Sequence, residues 1–263
     1  MADRTLKTLL AVSALILASP DLLAQSAEEV GSLNLYAQRC VYGDMRPAER
    51  IALCTTVINR DILIKKELVK VYVSRAHAYR ESGNQDAAFA DLGIALRTER
   101  NEPLVWLERG NLYNERRDFS LAVADYTRAI QLNPHEVVMY INRGQALRSS
   151  GDVEGAIEDY GRVIAMDPTN ANRYLDRASL YLASNQFEAA IRDLSDAIRL
   201  EPTGKVYDAR GAAYEKSGDL DKALADYTEA VHLQPTLASS YAARGRPSEG
   251  KGRVFRTRCV VGP

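Results

Sequence analysis

The chain is poor in the residues and motifs that chemistry usually requires. Three histidines occur in 263 residues, His77, His135 and His232. They lie far apart, and none has a partner at metal-ligand spacing. No CxxC, phosphate-binding glycine loop or nucleophile elbow is present. The many Asp and Glu recur along the chain and do not form one odd pair. An enzyme is therefore not expected, nor a metal or cofactor. Net charge is also lacking. At −1 overall, the chain has no global field to attract nucleic acid or an acidic surface. Cysteine is limited to Cys40, Cys54 and Cys259. The first two are 14 residues apart with no histidine nearby, too few ligands for a metal.

Long apolar runs are missing as well. The longest near the start is Leu9 to Ala18, preceded by Arg4 and Lys7 and closed by Pro20. That is roughly ten residues, where a bilayer span needs about twenty. The layout reads as a signal peptide over residues 1–24, cut after Ala24 or failing that Ala27, because signal peptidase favours a small side chain there. Stable membrane insertion after cleavage is not expected. An exported, periplasmic or secreted protein is.

What the chain does have is a repeat. Pro134, Pro168, Pro202 and Pro235 are spaced by 34, 34 and 33 residues, and each follows a similar helix end such as Ala-Ile-Gln-Leu-Asn-Pro. When this proline is numbered position 32 of a unit, position 4 holds Tyr72, Trp106, Tyr140, Tyr174 and Tyr207. Position 8 holds Ala76, Gly110, Gly144, Ala178 and Gly211, and position 20 is alanine at Ala88, Ala122, Ala156, Ala190 and Ala223. Small residues at these places let two antiparallel helices approach closely. Larger groups recur at position 11 (Tyr79, Tyr113, Leu147, Tyr181, Tyr214) and position 24 (Leu92, Tyr126, Tyr160, Leu194, Tyr227). Gly83, Gly151 and Gly218, each followed by Asn or Asp, mark a helix stop and a helix start.

A 34-residue period with this pattern resembles the tetratricopeptide repeat family over residues 69–237. The resemblance also extends to exported bacterial members whose first hairpin carries a cysteine on each helix. It implies an all-α fold, a right-handed α-solenoid of antiparallel helix hairpins, in units 69–102, 103–136, 137–170, 171–203 and 204–237. Arg100 departs from the pattern by replacing the proline of the first unit, and one residue is deleted after Pro202. Both changes fall in turns, where the constraint is weakest.

Residues 25–68 read as a divergent N-terminal cap, with helices over 29–43 and 47–59, Gly43 at the turn and Pro47 at the start of the second helix. Cys40 lies one turn before the break and Cys54 two turns after it. In an oxidising compartment such a pair forms a disulfide, and closing about fifteen residues is worth about 3 kcal/mol. The alternative is two buried thiols. At the other end, a sixth unit opens with Tyr241, Arg244 and Gly245 and then meets Pro247 inside a helix, which costs about 3 kcal/mol. Residues 238–263 thus read as a truncated repeat with an irregular basic tail, the product of a frameshift or truncation, with a functional basic tail as the alternative. A face left uncovered there offers itself to a second copy of the chain.

Two constellations could carry function. Position 7 is Arg75, Arg109, Arg143, Arg177 and Arg210, and position 23 is Asp91, Asp125, Asp159, Asp193 and Asp226. Sixteen residues separate each arginine from its aspartate, a spacing that builds a structural ion-pair ladder. The resemblance implies a ligand groove along the first helix of each unit, at positions 2, 5, 6, 9 and 12. Here these include His77, Arg80, Asn111, Asn114, Asn142, Gln145, Arg148 and Asp176. Asn111 and Asn142 match the asparagines of the family's carboxylate clamp, but its basic places hold Leu107, Asn172 and Asp176, so that specificity does not carry over. The expected function is a non-catalytic scaffold binding a protein or peptide segment. A cell-envelope structural or glycan-binding role, with Tyr113 and Tyr181 meeting a polymer, is the alternative.

Overall fold

Positive backbone φ marks the hairpin turns. Gly83, Gly151 and Gly218 adopt φ of 77°, 91° and 91°, and Arg117 and Asn185 hold the same left-handed region at 65° and 58°. All five are position 15 of their units. Only glycine enters that region without a steric penalty, so the two side-chain-bearing residues show that the turn geometry overrides local preference. The residue that follows starts the next helix. Asn84, Asp152 and Asp219 each accept a hydrogen bond from a backbone N–H in the first helical turn, at Ala87, Gly155 and Lys222.

The computed structural model describes residues 34–60 and 63–236. The segment read as a signal peptide, residues 29–33, and the truncated sixth unit with Arg244, Pro247 and Cys259 lie outside these residues. The described residues form twelve helices and no strand: α1 (34–42), α2 (Pro47–Asn59), α3 (Lys65–Glu81), α4 (Gln85–Thr98), α5 (Pro103–Glu115), α6 (Phe119–Leu132), α7 (Val137–Ser150), α8 (Val153–Met166), α9 (Ala171–Ala183), α10 (Phe187–Leu200), α11 (Gly204–Ser217) and α12 (Leu220–Leu233). The fold is all-α, built from antiparallel helix hairpins of the tetratricopeptide type. Two compact units divide between Arg116 and Arg117.

In the first unit, α3 and α4 pair as a hairpin, and α5 packs against both. Val69, Val73, Ala76, Ala88, Leu92, Leu96, Val105 and Leu112 form one buried cluster there. The capping helices make a second cluster of Ala37, Cys40, Cys54, Val57 and Val71. Cys40 and Cys54 are both fully buried and joined by a disulfide, with Sγ atoms 2.02 Å apart. Two hydrogen bonds tie α3 to this cap: the buried Ser74 hydroxyl donates to Cys40 O at 2.8 Å, and Arg75 Nη1 donates to Thr55 Oγ1 at 2.9 Å.

In the second unit, α7–α8, α9–α10 and α11–α12 are hairpins, with α6 packed on α7. The position-20 alanines are fully buried or nearly so, from Ala88 in the first unit to Ala223 in the second. Aromatics at position 4 fix the turn before three of the first helices. Tyr140 and Tyr174 donate their hydroxyls to the carbonyls of Pro134 and Pro168, and Trp106 Nε1 donates to Arg100 O at 2.8 Å. Arg100 therefore keeps the interaction that its proline counterparts make, because the acceptor belongs to the backbone. The substitution costs the turn little for that reason.

Candidate interaction site

Four of the arginine–aspartate pairs form the same forked arrangement across a single hairpin. Nε and Nη2 of Arg75 donate to the two oxygens of Asp91, both at 2.7 Å. Arg143 holds Asp159 at 2.8 and 2.6 Å, Arg177 holds Asp193 at 2.7 and 2.7 Å, and Arg210 holds Asp226 at 2.8 and 2.9 Å. The fifth pair of the series, Arg109 and Asp125, falls in different units. Bidentate geometry is the strongest form of this interaction. The hydrogen bond to the aspartate, more than any other influence, raises the pKa of each of the four arginines above its usual value, with burial opposing it.

Two further contacts of these arginines were not visible in the column of arginines itself. The guanidinium lies over aromatic rings at positions 4 and 11 of its own helix: Arg75 over Tyr72 and Tyr79 at 5.6 and 5.8 Å, Arg210 over Tyr207 and Tyr214 at 5.7 and 5.8 Å. Residues three and four apart share a helix face, so the stack follows from the spacing. The remaining nitrogen, Nη1, reaches the preceding hairpin. Arg143 donates to Thr127 Oγ1 at 3.1 Å and Arg210 to Ser195 Oγ at 3.0 Å. One arginine thus binds its partner helix, its own aromatics and the neighbouring repeat.

The other polar side chains of the first helices include the residues expected to line a groove. In the first unit, Arg80 is 3.8 Å from Glu108 and 3.4 Å from Glu115. His77 Nδ1 is buried without a hydrogen bond, 3.5 Å from Glu81, and Asn114 Oδ1 is also buried without one. Asn111 is half-buried. A hollow of about 370 Å³ opens beside His77, with Val69 and Val73 of α3 and Leu104 of α5 on its walls.

In the second unit, Gln145 and Arg148 of α7 come together with Tyr160 of α8 and Arg173 and Asp176 of α9. Gln145 and Arg148 both act on the Tyr160 hydroxyl, and the charges of Arg148 and Arg173 both act on Asp176. Arg173 is 3.4 Å from the Asp176 carboxylate. Burial nevertheless outweighs both arginines and pushes the Asp176 pKa above its usual value. Burial, followed by the Asp176 charge, raises the Tyr160 hydroxyl too. Gln145 and Arg148 are exposed, and Asn142 and Asp176 are half-buried. The predicted groove residues thus divide between the units, four in each.

Among the described residues no helix is long and apolar enough to cross a membrane, and no group of three or more His, Cys, Asp or Glu is placed to hold a metal ion.

Comparison with known proteins agrees with this architecture. Family models for the tetratricopeptide repeat match residues 103–136, 171–203 and 204–237, and a further TPR repeat model matches 144–184. No curated protein sequence matches significantly. Among solved structures, the chain is similar to MamA from Desulfovibrio magneticus RS-1, at 21% identity and a TM-score of 0.58, over 65% of this chain and 97% of that one. It is similar to YrrB, described as a TPR protein with an unusual peptide-binding site, at 16% identity and a TM-score of 0.63, over 73% and 97%. A third similarity is to the C-terminal part of a TPR repeat-containing protein from Cytophaga hutchinsonii, at 15% identity and a TM-score of 0.68, over 83% and 90%. At such identities the structural likeness speaks for the fold alone. Helix pairs, ladder spacing and repeat models together assign the chain to the tetratricopeptide repeat family.

Proposed function

We propose that this protein is a non-catalytic scaffold that holds an extended segment of a partner protein against the polar face of its first helices. Repeats of this family support a protein-interaction role, and the electrostatics of the first helices favour a contact there. The observation that carries the reading is the group Gln145, Arg148, Arg173 and Asp176, where a carboxylate stays half-buried between two arginines at an electrostatic cost. Groups held against their own solvation are suited to exchange that environment for a ligand's hydrogen bonds. Amides and charges of this kind are suited to hydrogen-bonding an extended backbone, and affinity would be distributed over many weak contacts.

Export is part of the proposal. The leader-like residues 1–24 and the buried Cys40–Cys54 bridge both suit an oxidising compartment. The mass of the mature N-terminus tests it directly.

Capture of partners from cell envelopes tests the binding surface. The intact chain is compared with a variant carrying Asn111→Ala, Asn142→Ala and Arg148→Ala. Loss of the captured proteins is expected from the variant, and an unchanged set would sink the assignment.

A further inference from the structure

The hollow in the first unit is more specific than its apolar walls suggest. Its floor is Val69 and Val73, both buried, and Leu104, which is 42% exposed in spite of its apolar side chain. Four charged groups surround that floor. Lys70 is engaged by Glu67 at 3.0 Å and Glu108 by Arg80 at 3.8 Å. The other two, Arg50 and Glu102, have no ion pair among the described residues. Arg50 Nη2 donates to Gly43 O at 2.8 Å, but its Nε is buried with no partner. Glu102 precedes α5 without making a side-chain capping bond. Arg50 comes from α2 and Glu102 from the start of α5, and α3 packs against both helices.

An unmatched cation and an unmatched anion therefore stand on different elements around one apolar floor. A wholly apolar occupant would leave both without a counter-charge. An acidic occupant would answer Arg50 and be repelled by Glu102, and a basic one would do the reverse. A volume of about 370 Å³ is at the small end for ligand sites, enough for one side chain and its adjoining backbone.

Resting on the reading of this surface as a peptide groove, we infer that the hollow receives a partner segment in which one aliphatic side chain is flanked by an acidic residue on one side and a basic residue on the other. The aliphatic group covers Val69, Val73 and Leu104. The acid meets the Arg50 guanidinium, and the base meets Glu102. His77 also lines the hollow.

The test is a peptide titration of the full chain followed by backbone amide NMR. Four capped probes are compared: Ser-Glu-Leu-Lys-Ser, Ser-Glu-Leu-Glu-Ser, Ser-Lys-Leu-Lys-Ser and Ser-Glu-Ser-Lys-Ser. The first should shift the amides of Val69, Val73 and Leu104 and bind about fivefold tighter than the Glu-Leu-Glu and Lys-Leu-Lys probes, the ratio expected for one partly solvated charge pair, and at least as much tighter than the Glu-Ser-Lys probe, which lacks the aliphatic group. Arg50→Glu should move the preference to the Lys-Leu-Lys probe, and Glu102→Lys should move it to the Glu-Leu-Glu probe, each with a dispersed spectrum showing that the fold is intact. Equal binding of all four probes, or a preference that neither variant moves, would overturn the inference. Shifts confined to Gln145, Arg148 and Asp176 would overturn this site while leaving the groove reading in place.

Discussion

Arg75 and Asp91 meet in a forked ion pair with both hydrogen bonds at 2.7 Å, although sixteen residues separate them in the chain. The aspartate is 3% exposed. A carboxylate that far from water is tolerated only because both of its oxygens are satisfied. Recurrence of the pair in successive hairpins is what a device of the fold would show.

Breaking one rung should therefore be expensive, and removing a whole rung should not. Arg143→Ala strands the buried Asp159 and is expected to cost about 3–5 kcal/mol in urea unfolding. Replacing both, Arg143→Met with Asp159→Leu, is expected to recover most of that loss, because no unpaired charge remains buried. A single-variant loss below about 1 kcal/mol, the level of an exposed pair, would show that solvent screens the rung and that it adds little to stability.

The third arginine contact gives a sharper test. Position 25 is Thr127 and Ser195 where Nη1 finds a hydroxyl, but Gly161 in front of Arg177. A Cβ at Gly161 would lie 3.4 Å from Arg177 Nη1 with nothing nearer. Gly161→Ser should then add the hydrogen bond that its neighbours have, for a gain of about 1 kcal/mol beyond the helix-propensity effect. Alanine is the better helix former, so Gly161→Ala is the control. Serine melting above alanine is the expected result, and serine below alanine would remove the bond from the account.

These contacts show what was readable in the linear chain. Hairpins were legible because proline and glycine punctuate them at a fixed period, and the ladder was legible because Arg and Asp occupy whole columns. The hydroxyl at position 25 was not, since Gly93, Thr127, Gly161, Ser195 and Thr228 share no chemistry as a column. Its meaning depends on the guanidinium across the gap. Arg50 and Glu102 were harder still. Arg50 lies in the divergent cap, outside the repeat register, and only the packing of α3 against α2 and α5 brings it to the same hollow as Glu102.

The Cys40–Cys54 bridge is buried completely at both ends, so it should resist reductant while the cap is folded. Alkylation of the unreduced, unfolded chain should label Cys259 alone, and non-reducing peptide mapping should recover the two cap cysteines in one linked fragment. Cys40→Ala with Cys54→Ala is expected to lower stability by about 3 kcal/mol, the loop-closure value for this spacing. Labelling of all three thiols would refute the bridge.

Asp176 sets a pH dependence whose sign is fixed by its environment. Burial raises its folded-state pKa above the ordinary value near 3.8, so the folded chain holds that proton more tightly than the unfolded one. Its ionisation therefore weakens the fold as pH rises from about the ordinary aspartate range through the raised value, and the loss persists at neutral pH. Asp176→Asn should stabilise the protein at pH 7 and make no difference in more acidic solution, below the ordinary aspartate value. Because the side chain is 41% exposed, the gain should stay under about 1 kcal/mol. Thermal melts of both proteins across this range check the sign, and a gain that grows toward acid pH would reverse the argument.

Positions 8 and 24 vary together, and the reason is steric. Tyrosine at position 24 accompanies glycine at position 8 (Gly110 with Tyr126, Gly144 with Tyr160, Gly211 with Tyr227), whereas leucine accompanies alanine (Ala76 with Leu92, Ala178 with Leu194). A Cβ on Gly211 would stand 2.9 Å from two ring atoms of Tyr227 and 3.3 Å from Ala223 O, closer than a packed interior allows. On Gly144 the nearest ring atom of Tyr160 is 3.3 Å away, a milder conflict. Gly211→Ala should cost about 1–3 kcal/mol by overpacking, while Gly144→Ala should come out near neutral, since relief of glycine's backbone entropy, about 0.5–1 kcal/mol, offsets the strain. Tyr227→Leu removes the obstruction but also the 2.7 Å hydrogen bond from its hydroxyl to Glu215, so it is destabilising alone. Combined with Gly211→Ala it should restore the pairing used at Ala76 and Ala178, and the double variant should be more stable than the two single losses summed, by about 1 kcal/mol or more. Strict additivity in that cycle would mean that glycine and tyrosine keep company for some reason other than space.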